Sequence, residues 1–247
     1  MALRIQLASD LHLEFMRGQR PSLDAVLTPA APVLALLGDI HVLGKADHAA
    51  AYESFVAEAA RRFERVLLLA GNHEFYSDPR APVAHAEIIA KLHAIAQRCG
   101  NHVTFLHDAA VELDGVRVFG STLWAHLPHD QTVESVDAST PAEVAGAIAE
   151  FRMMDYRRIF VDADSDGGSR PPRLLQAGDT NAWHAHAVEA LCRAAEDALT
   201  CQQNLVTLDA ALSSCGLLGT RTTTWRLIFT GYVSFQISED MTLNLVV

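Results

Sequence analysis

The chain predicts an α/β fold that grades into α+β, and three observations carry this prediction. Three short apolar runs, Ile5 to Ala8, Val33 to Leu37 and Val66 to Ala70, are each closed by turn-forming residues and read as buried strands. A helical stretch with one apolar face lies between the second and third runs. Beyond residue 102 the apolar period changes from helical to two.

The first helix is expected from about Ala49 to Phe63, where Tyr52, Phe55, Val56, Ala59 and Phe63 share a face and Glu53, Glu58, Arg61 and Arg62 lie mostly away from it. A second is expected near Pro82 to Arg98, with Ile88, Leu92 and Ile95 at helical spacing and Gly100 placed to end it. Val103 to Leu106 reads as a strand. Val111 to Leu113 and Val116 to Val118 flank Asp114-Gly115, a hairpin signal. A helix near Pro141 to Met154 follows, then an exposed loop or flap from Asp162 to Thr180, rich in Asp, Gly, Ser and Pro. A further helix is expected from Asn181 to Leu199, a strand at Asn204 to Thr207, and two final strands within Trp225 to Ile237 and Met241 to Val247.

Composition narrows the function. A length of 247 residues with no linker-like stretch predicts a single domain over residues 1–247. The formal charge of −11, from 19 basic and 30 acidic residues, argues against binding along a nucleic-acid backbone, where basic patches supply most of the affinity. A phosphate substrate remains compatible, because bound metal ions dominate a local field. Cys99, Cys192, Cys201 and Cys215 form no C-x-x-C pair, so reduced thiols and a cytoplasmic location are expected. Met1 to Ile5 lacks a basic-then-apolar signal segment, and no apolar run is long enough to span a membrane.

The chemistry gathers at the ends of the first three strands, in Asp10-Leu11-His12, Gly38-Asp39 and Gly71-Asn72-His73-Glu74. Asp10 and His12, two apart on a strand or its exit, point to one side and can reach one ion. Asp39 ends the next strand and can bridge two ions; Gly38 permits close backbone approach. Asn72 offers a neutral oxygen ligand. His73, its neighbour, is expected to face elsewhere and suits a general acid or hydrogen-bond donor to the transition state. Carboxylate with imidazole suits Mn, Fe or Zn. Glu74 reads equally as an orienting carboxylate or a surface one. His41 lies close enough to Asp39 to line the cleft, whereas His48, His85, His93, His102, His107, His126 and His129 read as solvated or hydrogen-bonded structural residues.

In order and spacing, the three motifs resemble the calcineurin-like metallophosphoesterase family. Phe119 to Trp124 and Met154 to Ile159 look like segments of a bacterial subgroup, so the resemblance covers roughly the first three quarters of the chain. It implies a two-sheet β-sandwich flanked by helices in four layers, with the site at strand ends on one edge. It also implies two divalent ions held by Asp10, His12, Asp39 and Asn72, and a phosphate-ester small molecule as substrate. Hydrolysis would proceed by in-line attack of an activated water, with His73 protonating or stabilising the leaving oxygen.

The resemblance stops in the tail. The family supplies late histidine ligands, but this chain has no histidine after His186. Leu208-Asp209 stands where paired histidines are expected, and Thr230 to Ser234 where the last motif is expected. Residues 201–247 therefore read as a divergent tail in which Asp209 partly substitutes, or as a tail from a shifted reading frame; alternatively a ligand comes from His184 or His186, against which their spacing on a helix argues. For Asp209 a plain turn role is the stronger reading. The leading functional expectation is a metal-dependent phosphoesterase acting on a phosphomonoester or phosphodiester; the alternative is a non-catalytic or impaired relative that keeps the fold with an incomplete metal site.

Overall fold

The computed structural model describes residues 3–16, 22–126, 133–135, 138–140, 142–163, 171–209, 229–230, 234–237 and 242–246. In chain order the elements are β1 (Ile5–Ala8), α1 (Leu23–Val26), β2 (Val33–Leu37), α2 (Ala46–Arg62), β3 (Arg65–Leu69), α3 (His85–Arg98), β4 (Val103–Phe105), β5 (Ala109–Leu113) and β6 (Val116–Ser121). Then come β7 (Val133–Ser135), β8 (Ala138–Thr140), α4 (Ala142–Arg152), α5 (Asp155–Arg158), β9 (Phe160–Val161), β10 (Arg173–Leu174), α6 (Ala177–Thr200) and β11 (Asn204–Asp209). Three strands close the chain: β12 (Phe229–Thr230), β13 (Ser234–Ile237) and β14 (Thr242–Val246).

Two sheets form the centre. The larger runs β13-β14-β1-β2-β3-β4, with β1 to β4 parallel and β14 antiparallel to β1; the smaller runs β12-β11-β6-β5. The tail contributes to both: β11 lies parallel to β6, and β14 lies against β1. The hairpin at Asp114-Gly115 forms with Leu113 opposite Val116.

Strand alternation builds the layers. Leu34, Leu36, Val66 and Leu68 face outward to α2 and α3, where Tyr52, Phe55, Val56, Ala59, Ile88 and Leu92 cover them. The intervening Val33, Ala35, Leu37, Leu67 and Leu69 face inward and meet Val116, Val118, Val206 and Leu208 of the smaller sheet. The outer face of that sheet, through Phe119 and Leu205, is covered by Ala190, Ala194 and Ala198 of α6. The result is helix, sheet, sheet, helix. Full burial of each large aliphatic side chain contributes about 1.5–3 kcal/mol, and the small alanine stripe lets α6 sit close.

Two expectations change. The Asp162 to Thr180 stretch is not loop throughout: residues 164–170 lie outside the described residues, β10 pairs with β9, and α6 starts at Ala177, ahead of the expected Asn181. Its cap is a reciprocal pair between Gln176 and Asp179, with Arg173 holding Asp179 through two bonds of 2.7 and 2.8 Å. Glutamine is not among the usual cap residues, so composition concealed the start. The expected single strand from Trp225 to Ile237 is β12 and β13 in its described parts.

Candidate metal centre

Because β1, β2 and β3 are adjacent and parallel, their exits lie side by side at one sheet edge, where α/β folds collect ligand sites. Backbone bonds join the first two exits: Asp10 N–H donates to Gly38 O at 3.2 Å, His12 N–H to Asp39 O at 3.0 Å and Leu13 N–H to Ile40 O at 2.9 Å. Asp10, His12 and Asp39 take left-handed backbone angles, with φ of 53°, 45° and 53°. Such angles are uncommon outside glycine, although Asp and His tolerate them better than most, and they persist only where surrounding structure holds them. Asp10 and His12 thus approach through a left-handed turn beyond β1, rather than through strand alternation. Asp10 Oδ1 lies 4.0 Å from His12 Nε2.

Glu74 holds the second and third exits together. It is fully buried, and its carboxylate accepts the backbone N–H groups of Asp39 at 2.9 Å, Ile40 at 2.9 Å and Gly71 at 2.8 Å. The surface reading of Glu74 is therefore overturned. Burial, together with the neighbouring charge of Asp39, raises its pKa. Gly71 is required here: a Cβ at this position would meet Asp39 Oδ1 at 2.3 Å.

Ligand atoms of His12, Asp39 and His73 lie within 4.8 Å of one another. His73 thus stands in the same cluster as His12 and Asp39, and its backbone N–H donates to Asp39 Oδ1 at 2.9 Å. Asn72 is buried; its amide nitrogen donates to Asp155 Oδ1 at 2.7 Å and to Tyr76 Oη at 3.0 Å. With the nitrogen committed, its carbonyl oxygen is the group left for a cation.

Glu14 went unnoticed in the sequence. Its Oε1 lies 2.8 Å from His73 Nδ1 and 3.3 Å from His12 Nδ1. Burial alone would raise the Glu14 pKa, but the two imidazole bonds outweigh it and bring it to about 2. The bond to Glu14 raises the pKa of His12 against its own burial. Burial, with Asp10 nearby, pushes Asp39 upward. A carboxylate on Nδ1 fixes the ring and leaves Nε2 for ligation or proton transfer. The only sequence signal for this role was an acidic residue two positions after His12.

The other histidines divide differently from expectation. His41 is buried, 3.9 Å from Glu14 Oε2 and edge-on to His48, and burial with the nearby His48 lowers its pKa to about 4. His48 lines the cleft. His85 is neither solvated nor hydrogen-bonded through Nε2; it is stacked between Phe75 and Trp183 beside a cavity of about 310 Å³ shared with His107 and His186. His184 Nδ1 meets Trp124 O at 2.7 Å, consistent with a structural role. In the tail, Asp209 ends β11 opposite Ser121, but its side chain and Tyr232 fall outside the described residues.

Two imidazoles and two carboxylates, with an amide oxygen beside them, fit a borderline divalent ion. The profile of the calcineurin-like phosphoesterases matches residues 3–147, more than half of the chain. The chain belongs to this family. Calcineurin-like phosphoesterases use divalent metals and act on phosphate esters, so membership supports metal-dependent phosphoester hydrolysis. The solved structure of a phosphopantetheinyl hydrolase from Mycobacterium tuberculosis is similar in fold, with a TM-score of 0.52 and 21% identity over 84% of this chain and 68% of that one. No curated protein matches the chain. Among the described residues no helix is long and apolar enough to cross a membrane.

Proposed function

We propose that the chain is a metal-dependent phosphoesterase hydrolysing a phosphomonoester or phosphodiester at a two-ion centre. Asp10, His12, Asp39 and Asn72 would hold the metal, and His73 would donate to the leaving oxygen. The bound ions would supply an activated water and neutralise charge on the phosphoryl oxygens. The observation that carries the reading is the single Glu14 oxygen bonded to Nδ1 of both His12 and His73, which leaves Nε2 of each for the site. Donation of Nδ1–H to Glu14 also holds the His73 ring in place for proton transfer at Nε2. The free thiols of Cys99, Cys192 and Cys201 accord with a cytoplasmic setting.

A second reading, an impaired or non-catalytic relative, is favoured by the lack of any histidine after His186. Elemental analysis after Mn supplementation separates the two, alongside turnover of p-nitrophenyl phosphate and bis(p-nitrophenyl) phosphate. Two ions per chain and measurable hydrolysis, both lost in Asp39→Asn, support the enzyme. One ion or none, without turnover, supports the impaired relative.

A further inference from the structure

A cleft of about 440 Å³ opens beside Glu14 and His73, and Lys45 and Arg158 also line it. These cations come from distant parts of the chain and are brought together at Ser77. Gly44 pairs with Ser77 in a backbone bridge, an approach so close that a Cβ on Gly44 would meet Tyr76 O at 2.3 Å. Lys45 follows directly, at the residue preceding α2. On the other side, Ser77 N–H donates to Arg158 O at 2.9 Å.

Among the described residues neither Lys45 nor Arg158 has a carboxylate within ion-pair distance, although Arg62, Arg98, Arg117, Arg173 and Arg193 all do. An unpaired cation on an open surface is ordinary; two on the wall of the cleft that holds His73, in a chain of net charge −11, make a local anion-attracting field. Phe15, 70% exposed, and Met154, 47% exposed, line the same cleft and offer apolar surface to a ligand.

Resting on the phosphoesterase reading, the geometry points to a subsite for a second anionic group: the substrate is a phosphate ester whose organic part carries a further phosphate or carboxylate beyond an apolar spacer. Lys45 and Arg158 bind that group, and Phe15 and Met154 contact the spacer. Charge-assisted bonds of this kind give about tenfold or more in affinity.

The test uses the Mn-supplemented full chain. Calorimetric binding of hexanediol bisphosphate is compared with that of hexyl monophosphate, in the native chain and in the Lys45→Ala/Arg158→Ala variant. The bisphosphate is expected to bind about tenfold tighter or more, and the preference is expected to vanish in the variant while Mn content is retained. Lys45→Glu alone is expected to weaken bisphosphate binding beyond Lys45→Ala. Equal binding of the two ligands by the native chain, or a preference that survives the double substitution, overturns the subsite and leaves the phosphoesterase reading standing. Absence of Mn and of any phosphate-ester binding overturns the phosphoesterase reading, and the subsite with it.

Discussion

Glu14 Oε1 lies 2.8 Å from Nδ1 of His73, a residue 59 positions further along the chain, and the same oxygen meets His12 Nδ1 at 3.3 Å. One carboxylate thus orients both imidazoles of the candidate centre. Removing its charge in Glu14→Gln is expected to lower Mn affinity by roughly 10- to 100-fold. Calorimetric titration with Mn measures this. Unchanged affinity would remove Glu14 from the site.

Asp155 acts on Asn72 in the same way, across 83 residues, through the 2.7 Å bond to the amide nitrogen. Asp155→Ala removes the shorter of the two bonds that hold the amide and leaves Tyr76 Oη without its 2.7 Å acceptor. Metal affinity is expected to fall by about tenfold, with a loss of stability of about 1–3 kcal/mol from the stranded polar groups. Metal titration and urea unfolding read the two effects separately.

Glu74→Ala is expected to be the more damaging change to the fold. It strands the N–H groups of Asp39, Ile40 and Gly71 in the interior, at about 1–3 kcal/mol each. A loss of at least about 3 kcal/mol in urea unfolding is the expected outcome. Glu74→Gln keeps one acceptor oxygen and is expected to lose less.

Gly71→Ala places a methyl group 2.3 Å from Asp39 Oδ1 and 2.7 Å from Asp39 N. Asp39 must move, so bound metal is expected to be lost along with about 1–3 kcal/mol of stability. Elemental analysis and thermal melting check this; full metal occupancy would show that the turn can give way.

Acid sensitivity should trace in part to His85. Burial, reinforced by His107, lowers its pKa from 6.5 to about 3. Between these values the unfolded chain binds the proton and the folded chain does not, so stability falls as pH drops below 6.5, and His85 adds no pH dependence above it. Its share of the loss between pH 7 and pH 5 is about 2 kcal/mol. His85→Phe keeps the stack with Phe75 and Trp183 and is expected to flatten this part of the profile. An unchanged slope in urea midpoints would show that His85 takes up its proton in the fold.

Much of the first half was legible because a buried parallel strand is written as a continuous apolar run. β1 and β2 fall at the expected residues for that reason, and the hairpin was legible because Asp114-Gly115 suits a tight turn. Glu14, Asp155 and Tyr76 escaped notice because the contacts Glu14–His73, Asp155–Asn72 and Asp155–Tyr76 span 59 to 83 residues and no local period marks them. Glu74 offered no local reason to choose between surface and interior. The left-handed turns at Asp10, His12 and Asp39 were hidden too, since none of these is glycine.

By itself, then, the sequence determined the first parallel strands, the faces of the two helices that cover them and the placing of Asp10, His12, Asp39, Asn72 and His73 at or just beyond three strand ends, because apolar periodicity and turn chemistry are local properties of the chain. Only the tertiary structure decided that Glu14 orients two imidazoles, that Glu74 closes the backbone of two loops, and that Lys45 and Arg158 share a cleft with His73. Those relationships depend on which strand ends and loops meet in space, and that is set by packing two sheets and their helices around a common core.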